Sequence, residues 1–591
     1  MKNMLSNIVR LLVLIAISIP VSAQVHVQGI VKMRGVPKTF GNAGSFTPHQ
    51  YTHIWAFSPP NSSGGVNDNG YFKSNVMPNS SIDGVTLIEG WSSIEINPPD
   101  NTPCSSSDSA DTCQPDPAVP LTYHHYDWST YDSITGSTPV YQWLSTSFGG
   151  SHKKVNLLIT GESAASTNAT TPHYVTSSAW YSLFSPQRQD VLNALKDCAG
   201  LPWSGSGGTV TAWVGTTVTV NSSGCCSTSS VQSNLLQTGD LIWVTSSTSG
   251  LATGSGGSAI TVSDSNDFTY TSSGTGTASS QSLTFISAAQ SWAVPYEYPY
   301  MNALKAYWAA VVAHYGPNFS LNGTNYYPQL NYFRFGGSVG SEWYPYCTSS
   351  LASLPGSYAY TMSLWLNYYQ QMGNYLQSLG PPWRVIHSIN SAETPVNYTY
   401  ATDEAAYAIG WSNRFGMRDG FGSQGLSALD YVNCHTNTCP VCTTGGAHCA
   451  ASNWYPLFGQ YDSSGVPLEL QPEALSYPGD TDCSNPTCGT GNGNFSGDLP
   501  TFLYPFATNQ GTSDVEIYWR DLSLSFDSTN YCHISGLSCL AASSITVDGQ
   551  LSAAEQFSWF TSVGIGTSCG GSQGGGQCNY QTNVNNAHGQ H

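Results

Sequence analysis

Residues 329–345 read QLNYFRFGGSVGSEWYP, and they join a strand pattern to a glycine-rich turn and a carboxylate, Glu342. The run QLNYFRFGG (329–337) is aromatic and apolar, as buried strands are. Helical patterns stand on either side of it, at 297–316 and 359–379. A strand between two helices indicates a parallel sheet whose strands are joined by crossover helices.

The same alternation extends along most of the chain. Apolar runs typical of strands occur at 83–91, 154–162, 383–390, 408–419, 467–471 and 514–526, and a further helix is expected at 181–198. With this number of repeats, the sequence favours an α/β fold of the (β/α)8 TIM barrel type over an open parallel sheet.

Residues 205–286 differ from their surroundings. Thr, Val and Ser alternate there with almost no charge, and pairs of Gly interrupt them. Short strands between such turns indicate a small all-β module. Because helical patterns flank it, we expect an insertion into a discontinuous barrel of residues 24–204 and 287–565. A tail rich in Gly, Cys and Asn follows at 566–591.

The N-terminus has the pattern of a secretory leader. Lys2 and Arg10 precede an apolar run from Leu11, and small residues end at Ala23. This pattern predicts a signal peptide over 1–23, with a retained membrane anchor as the alternative. The expected location is therefore extracellular or periplasmic.

The composition limits the classes of molecule that the protein is expected to bind. The net charge is −19 with 16 Lys and Arg, which argues against nucleic acid and anionic membranes, since phosphates need clustered cations. The chain is 12% aromatic, and aromatic ring faces can pack against sugars. The oligomeric state stays open.

Cysteines favour disulfide-stapled loops, since sixteen of them occur in a chain expected to be exported. Close pairs are Cys104/Cys113, Cys225/Cys226, Cys483/Cys488, Cys532/Cys539 and Cys569/Cys578. Four more, near His435 and His448, have spacing that leaves zinc open as the alternative: Cys434, Cys439, Cys442 and Cys449. The prediction is no metal and no cofactor.

Carboxylates follow several predicted strands, at the end where such barrels carry reactive groups. They are Glu89, Glu95, Glu162, Glu342, Glu469, Glu473 and Glu516. Cleavage of a glycosidic bond needs two carboxyl groups across a cleft. Glu342 stands out because Trp343, Tyr344 and Tyr346 crowd it, and such surroundings disfavour the charged form, which suits a general acid. A helix cap or a pairing with Arg is the alternative for each Glu.

The order of these segments resembles the superfamily of retaining (β/α)8 glycoside hydrolases, such as its β-galactosidase-like and cellulase-like members. RFGGSVGSEWYP (334–345) is similar to the end of the fourth strand there, which implies that Glu342 is the general acid/base. The nucleophile position on the seventh strand falls on Glu469, with Glu516 as the alternative and Glu473 third. Where the family has Asn before the general acid/base, this chain has Ser341.

The remaining predicted site residues would bind the sugar. They are Trp91, Glu95, His124, Asp127, Arg334, Trp343, Tyr344 and Trp411. DGVTLIEGWSSIE (83–95) resembles the family's early strand with a Trp and an acidic residue, and HYDWSTYD (125–132) resembles the segment before the next helix. For any single His or Trp, a place in the core is the alternative.

The expected function is therefore retaining hydrolysis of an extracellular neutral oligo- or polysaccharide. A protein of another class has a similar sequence signature: a non-catalytic carbohydrate-binding or surface-assembly protein on a degenerate barrel. The two differ in whether two carboxylates face each other in one cleft.

Overall fold

The computed structural model describes residues 53–57, 73, 77–78, 82–135, 138–161, 171–184, 203–229, 235–246, 248–254, 257–287, 294–337, 343, 359–390, 415–420, 468–470 and 514–518. In 387–390, 415–420 and 468–470 it describes the path of the backbone. In 514–518 it also describes the side chain of Glu516.

The strands fall into three groups along the chain. The first group is β1 (His53–Phe57), β2 (Gly84–Gly90), β3 (Cys113–Pro115), β4 (Tyr123–His125), β5 (Ser147–Phe148), β6 (Ser151–His152) and β7 (Lys154–Thr160). The second is β8 (Trp203–Asn221), β9 (Leu241–Thr245), β10 (Ser258–Ala259), β11 (Thr261–Val262), β12 (Asp267–Gly276) and β13 (Ser282–Ser287). The third is β14 (Ser320–Leu321), β15 (Thr324–Asn325), β16 (Leu330–Phe335), β17 (Arg384–Asn390), β18 (Phe415–Gly420), β19 (Leu468–Leu470) and β20 (Asp514–Tyr518).

Helices lie between several of these strands. They are α1 (Ser129–Asp132), α2 (Pro139–Ser145), α3 (Ser178–Ser182), α4 (Tyr298–His314) and α5 (Met362–Leu379), with short 3-10 turns at Trp91–Ser93, His173–Thr176 and Tyr327–Gln329. The helices expected at 297–316 and 359–379 are α4 and α5. Of the helix expected at 181–198, residues 185–198 lie outside the described residues.

Eight strands pair in parallel in the order β1-β2-β7-β16-β17-β18-β19-β20, and β20 pairs with β1, so that this sheet forms a closed ring. We call it the eight-stranded ring. Helix α2 lies between β2 and β7, α4 between β7 and β16, and α5 between β16 and β17. The predicted mixed α/β fold with a parallel sheet is confirmed. Seven of the ring strands lie in predicted runs, whereas β1, a short HIWAF segment, was not predicted.

Side chains of β16 show how the ring divides into an inner and an outer face. Tyr332 and Arg334 contact Glu516 on β20. In ring order β16 is the fourth strand and β20 the eighth, so the side chains of Tyr332 and Arg334 cross the interior of the ring to reach Glu516. Phe333 and Phe335 alternate with them and pack outward on Trp383, with ring centroids 3.6 and 5.9 Å apart. Burying such a ring contributes roughly 1.5–3 kcal/mol, so the outer aromatics hold β16 in this orientation.

Strands β8–β13 form a separate six-stranded sheet in the order β10-β9-β13-β8-β12-β11. Their sequence alternates, as strands with one solvated face do: Val218, Val220, Phe268 and Tyr270 are buried, while Thr219 and Thr269 between them are half-buried. This sheet spans 203–287, between the ring strands β7 and β16 in the sequence, where the all-β segment was expected at 205–286.

Two cysteine pairs have their sulfur atoms at disulfide distance, Cys104 with Cys113 and Cys225 with Cys226. The pairs expected among residues 483–578, the group 434–449, the leader and the tail lie outside the described residues. Among the helices that are described, none is long and apolar enough to cross a bilayer.

Candidate functional site

A buried ion pair crosses the interior of the eight-stranded ring. Arg334 donates to Glu516 Oε2 from its Nη1 at 2.9 Å, and the Tyr332 hydroxyl donates to Glu516 Oε1 at 2.7 Å. Arg334 is 1% exposed and Glu516 is fully buried. A carboxylate so far from water is tolerated when a cation and hydrogen-bond donors face it, as they do here.

Two further contacts hold Tyr332, the hydroxyl donor to Glu516, in place. The ring of Trp55 meets Tyr332 edge-on at 5.8 Å, and the Arg384 guanidinium lies over the Tyr332 ring at 5.2 Å. Trp55 is also the residue of β1 that lies opposite Glu516 in the register of β20. Tyr332 is therefore held between neighbours, with its hydroxyl directed at the carboxylate. Since both Tyr332 and Arg334 act as donors, the site matches the ionised form of Glu516.

The other predicted nucleophile, Glu469, lies on β19, of which the structure describes the backbone. Its register partners are Arg418 on β18 and Asp514 on β20. Asp514, the register partner of Glu469, stands two residues before Glu516 in β20. In ring order β16 is the fourth strand and β19 the seventh. Glu342, Tyr344, Trp411 and Glu473 lie outside the described residues.

Three predicted sugar-binding residues meet in a buried cluster beside the ring. Trp91 Nε1 donates to Glu95 Oε2 at 2.6 Å, and His124 Nδ1 lies 2.6 Å from Glu95 Oε1. The second ring nitrogen of His124 lies 3.1 Å from Asp116 Oδ2, and the Tyr174 hydroxyl donates to Glu95 at 3.1 Å. We call these five residues the His124 cluster.

The His124 cluster contains a charged imidazole that is buried away from solvent. Burial by itself would lower the pKa of His124, but the Glu95 and Asp116 carboxylates outweigh it and raise that pKa to about 9. The imidazole is thus protonated at neutral pH and donates to both carboxylates. It bridges Glu95, just after β2, to Asp116, just after β3, and so fixes the long connection between β2 and α2.

This arrangement differs from the role in sugar binding that the sequence predicts for Trp91, Glu95 and His124. All three side chains are fully buried. Trp91 stacks on Tyr307 of α4, with ring centroids 5.5 Å apart and 6° between the planes. The faces that a sugar would need are covered by protein, so in this structure the three residues stabilise the fold.

Trp343 and Asp127 also differ from their predicted roles. Trp343 is fully buried, donates from Nε1 to the Phe335 carbonyl at 3.1 Å and packs on Tyr369, so it belongs to the core and does not wall a cleft. Asp127 is exposed and accepts from the Ser129 backbone N–H at 2.9 Å, at the start of α1. A short polar side chain before a helix commonly does this.

A second imidazole, which the sequence did not single out, lies at the end of α4. His314 bridges Asp111 at 2.8 Å and Asp132 at 2.7 Å, and its ring stacks on Trp128 at 4.0 Å. Burial would lower the pKa of His314, but its hydrogen bonds to the two aspartates raise it. We call these four residues the His314 cluster. Its partners are about 180 to 200 residues away in sequence, so no local pattern could reveal them.

Glu89 lies on the outer face of β2, next to the His314 cluster. The Tyr315 hydroxyl donates to its Oε1. Burial raises the pKa of Glu89 to about 8, although the hydrogen bond from Tyr315 opposes the rise.

Tyr332 is another site residue that the sequence analysis did not name. It could have been found from sequence, because it stands two residues before Arg334 and therefore shares its face of the strand.

No group of three or more His, Cys, Asp or Glu in the described part of the chain could hold a metal ion.

No protein-family model matches the chain, and no curated protein matches it in sequence. Among solved structures, it is similar to the pyruvate kinase of Cryptosporidium parvum, at 8% identity and a TM-score of 0.26 over 86% of this chain and 71% of that one. It is also similar to the pyruvate kinase of Pyrobaculum aerophilum, at 10% identity and a TM-score of 0.25 over 87% and 73%. At these TM-scores the likeness carries no conclusion about activity.

Proposed function

We propose that this chain is a secreted glycoside hydrolase on a (β/α)8 barrel, which cleaves a neutral oligo- or polysaccharide by a retaining mechanism. One observation carries the proposal. Inside the eight-stranded ring, Tyr332 and Arg334 hold the carboxylate of Glu516, and they belong to β16, the strand that leads to Glu342. Carboxyl groups from opposite strands of one ring suit the two-carboxylate chemistry.

In the proposed reaction, Glu342 protonates the glycosidic oxygen as it leaves. A carboxylate attacks the anomeric carbon, so that a glycosyl ester forms while the bond to the leaving oxygen breaks. Glu342 then takes a proton from water, whose oxygen attacks the same carbon and releases the carboxylate. The net reaction adds one water across the glycosidic bond.

Two carboxylates compete for the role of nucleophile. The resemblance to the retaining hydrolases favours Glu469, which lies on the seventh ring strand. The contacts of Glu516 favour Glu516, since two donors keep it ionised and oriented, as a nucleophile must be. Removal of each carboxylate in turn, with azide as the replacement nucleophile, separates the two.

The substrate and location follow from the sequence. The scarcity of Lys and Arg and the abundance of aromatic rings suit a neutral sugar better than a phosphorylated one. The leader pattern at 1–23 supports export, and the proposed chemistry needs neither a metal nor a cofactor.

The decisive experiment compares three variants on nitrophenyl glycosides, with and without azide. We expect Glu342→Gln to lower turnover by on the order of 10²–10⁴-fold while folding is kept. In the variant that lacks the nucleophile, Glu469→Ala or Glu516→Ala, azide should restore turnover and give a glycosyl azide of inverted configuration. The exposed Asp108, substituted by Asn, is the matched control. Unchanged turnover in Glu342→Gln would exclude its role.

The alternative is a non-catalytic carbohydrate-binding protein. The observation in its favour is that both oxygens of Glu516 already accept hydrogen bonds in a fully buried place. Saccharide binding by the wild-type protein, with no hydrolysis that depends on Glu342, Glu469 or Glu516, would establish this alternative.

A further inference from the structure

Ile88 is unusual among the residues of β2, because 41% of it is exposed while every other residue of the strand is buried. Single exposed apolar side chains are common on protein surfaces. Ile88, however, belongs to a strand of the eight-stranded ring, so the face of the ring on which it lies decides what its exposure indicates.

Ile88 lies on the inner face of the ring. Its neighbour Glu89 contacts Tyr315, whose ring packs against Phe333, and Phe333 lies on the outer face. Since successive residues of a strand point to opposite faces, Ile88 points inward. The register agrees, because Ile88 lies opposite Leu158, and Leu158 lies opposite Arg334, whose side chain crosses the interior.

Exposure falls steeply along this row of three side chains. Ile88 is 41% exposed, Leu158 is 3% exposed and Arg334 is 1% exposed. The interior of a (β/α)8 ring is normally filled by side chains. Solvent therefore enters the ring beside β2 and stops before the Arg334–Glu516 pair. Ile88 is followed in β2 by Glu89 and Gly90 alone, so the opening lies toward the carboxyl ends of the strands.

We propose that Ile88 lines the entrance through which the saccharide reaches the carboxylates, and that its side chain packs against the sugar ring. This inference rests on the proposed function and adds a residue that determines specificity. An apolar side chain can contact the C–H face of a sugar without a hydrogen bond, and it disfavours a charged substituent there because that substituent would lose its hydration. Ile88 thus selects a neutral ring at this position.

Accessibility and sugar contact can be tested together with a thiol. Ile88→Cys should react with a maleimide, as located by peptide mass spectrometry, and cello-, xylo- or manno-oligosaccharides should slow the reaction at least about threefold. Ile134→Cys is the matched control, since Ile134 is 46% exposed in the turn after α1. It should react equally with and without sugar. A thiol at position 88 that does not react, while the control reacts, overturns the open entrance.

Kinetics supply the second measurement. Ile88→Trp should lower kcat/KM on nitrophenyl β-glycosides by about tenfold or more, because one misplaced group in a substrate pocket has effects of this size. Ile88→Ala should act mainly on KM, and Ile134→Trp should leave both constants unchanged. Wild-type kinetics in Ile88→Trp, without protection of the thiol, overturn the inference.

The two proposals fail in different ways. If the wild-type protein hydrolyses none of the glycosides and oligosaccharides, the proposed function fails, whatever the thiol at position 88 does. If the wild-type protein hydrolyses them but the Ile88 variants match the Ile134 variants, the proposed function stands and the entrance at Ile88 does not.

Discussion

The interior of the eight-stranded ring and the connection between β2 and α2 both bury charged groups, but they use different cations. In the ring, Arg334 faces Glu516, and its guanidinium stays charged at every pH that proteins tolerate. In the connection, two pairs of carboxylates are bridged by imidazoles, one pair by His124 from the connection itself and the other by His314 from the end of α4, and an imidazole loses its charge within the accessible pH range. The comparison teaches that one buried charge is permanent and the other two are conditional.

The carboxylates of the two regions also differ in how they are supported. Glu516 accepts from Tyr332 and Arg334, both on β16. Glu95 accepts from Trp91 and Tyr174 besides His124, and Asp116 accepts from the backbone N–H groups of Ala118 and Val119. Loss of the cation should therefore cost more in the ring than in the connection.

The largest effect is expected for Arg334→Met. It leaves the buried Glu516 without the cation that neutralises it here, which should lower the free energy of unfolding by about 3–5 kcal/mol. Urea denaturation at pH 7 measures the loss. The double variant Arg334→Met with Glu516→Met should regain most of the stability, because it removes both charges. A loss below about 1 kcal/mol would show that the pair is not buried as described.

The second effect is a loss of stability as the pH rises. The folded pKa of His124 is about 9, against about 6.5 in an unfolded chain, so its contribution is complete below about pH 6.5 and lost by about pH 9. The change is on the order of 3 kcal/mol. Glu89 also lowers the stability as the pH rises. Its pKa in the folded protein is about 8, so between about pH 4.5 and pH 8 it stays neutral in the folded protein but is ionised in the unfolded chain.

Urea midpoints between pH 5 and pH 10 test this dependence. In Glu89→Gln the urea midpoint should fall less steeply below about pH 8, because Glu89 no longer titrates. The part of the decrease that His124 causes, up to about pH 9, should remain. A midpoint that is constant, or that rises with pH in this range, contradicts the assignment.

An effect of about the same size is expected for His124→Phe. The ring keeps its stack on Tyr126, with 7° between the planes, but loses both hydrogen bonds. The variant has no imidazole to titrate, so the loss should be on the order of 3 kcal/mol at pH 6 and shrink toward pH 10. The same loss at both pH values would mean that His124 is neutral in the folded protein.

The smallest effect is expected for Asp127→Ala. This variant removes the acceptor for the Ser129 N–H at an exposed position and should lower the free energy of unfolding by about 0.5–1 kcal/mol. Saccharide binding and turnover should not change. A large loss of either would restore the role in substrate binding that the sequence suggested for Asp127.

Strand and helix positions could be predicted because their signals are local. The run of β16, in which three of six residues are aromatic, and the aromatic residues of α4 can be recognised within a short window of sequence. The segment HIWAF of β1 was not predicted, although the turn residues SPPNSSGG follow it at 58–65, because five residues are too few to show a strand period.

The candidate site was predicted less well, because its pairing is not local. The sequence singled out Arg334 and Glu516 separately, and the structure joins them across 182 residues. It named Trp91, Glu95 and His124 as sugar ligands, and the structure joins them to each other. Whether a polar group is buried depends on what packs over it, and Tyr307, which covers Trp91, comes from a distant helix.

The sequence by itself determined the order of strands and helices and the low charge, since these depend on residue type and periodicity alone. Only the tertiary structure decided that β20 closes on β1, that Glu516 meets Arg334, and that Ile88 is open to solvent while Trp91 is covered. Closure and burial arise from contacts between distant segments, and hydrophobic periodicity does not specify which segments meet.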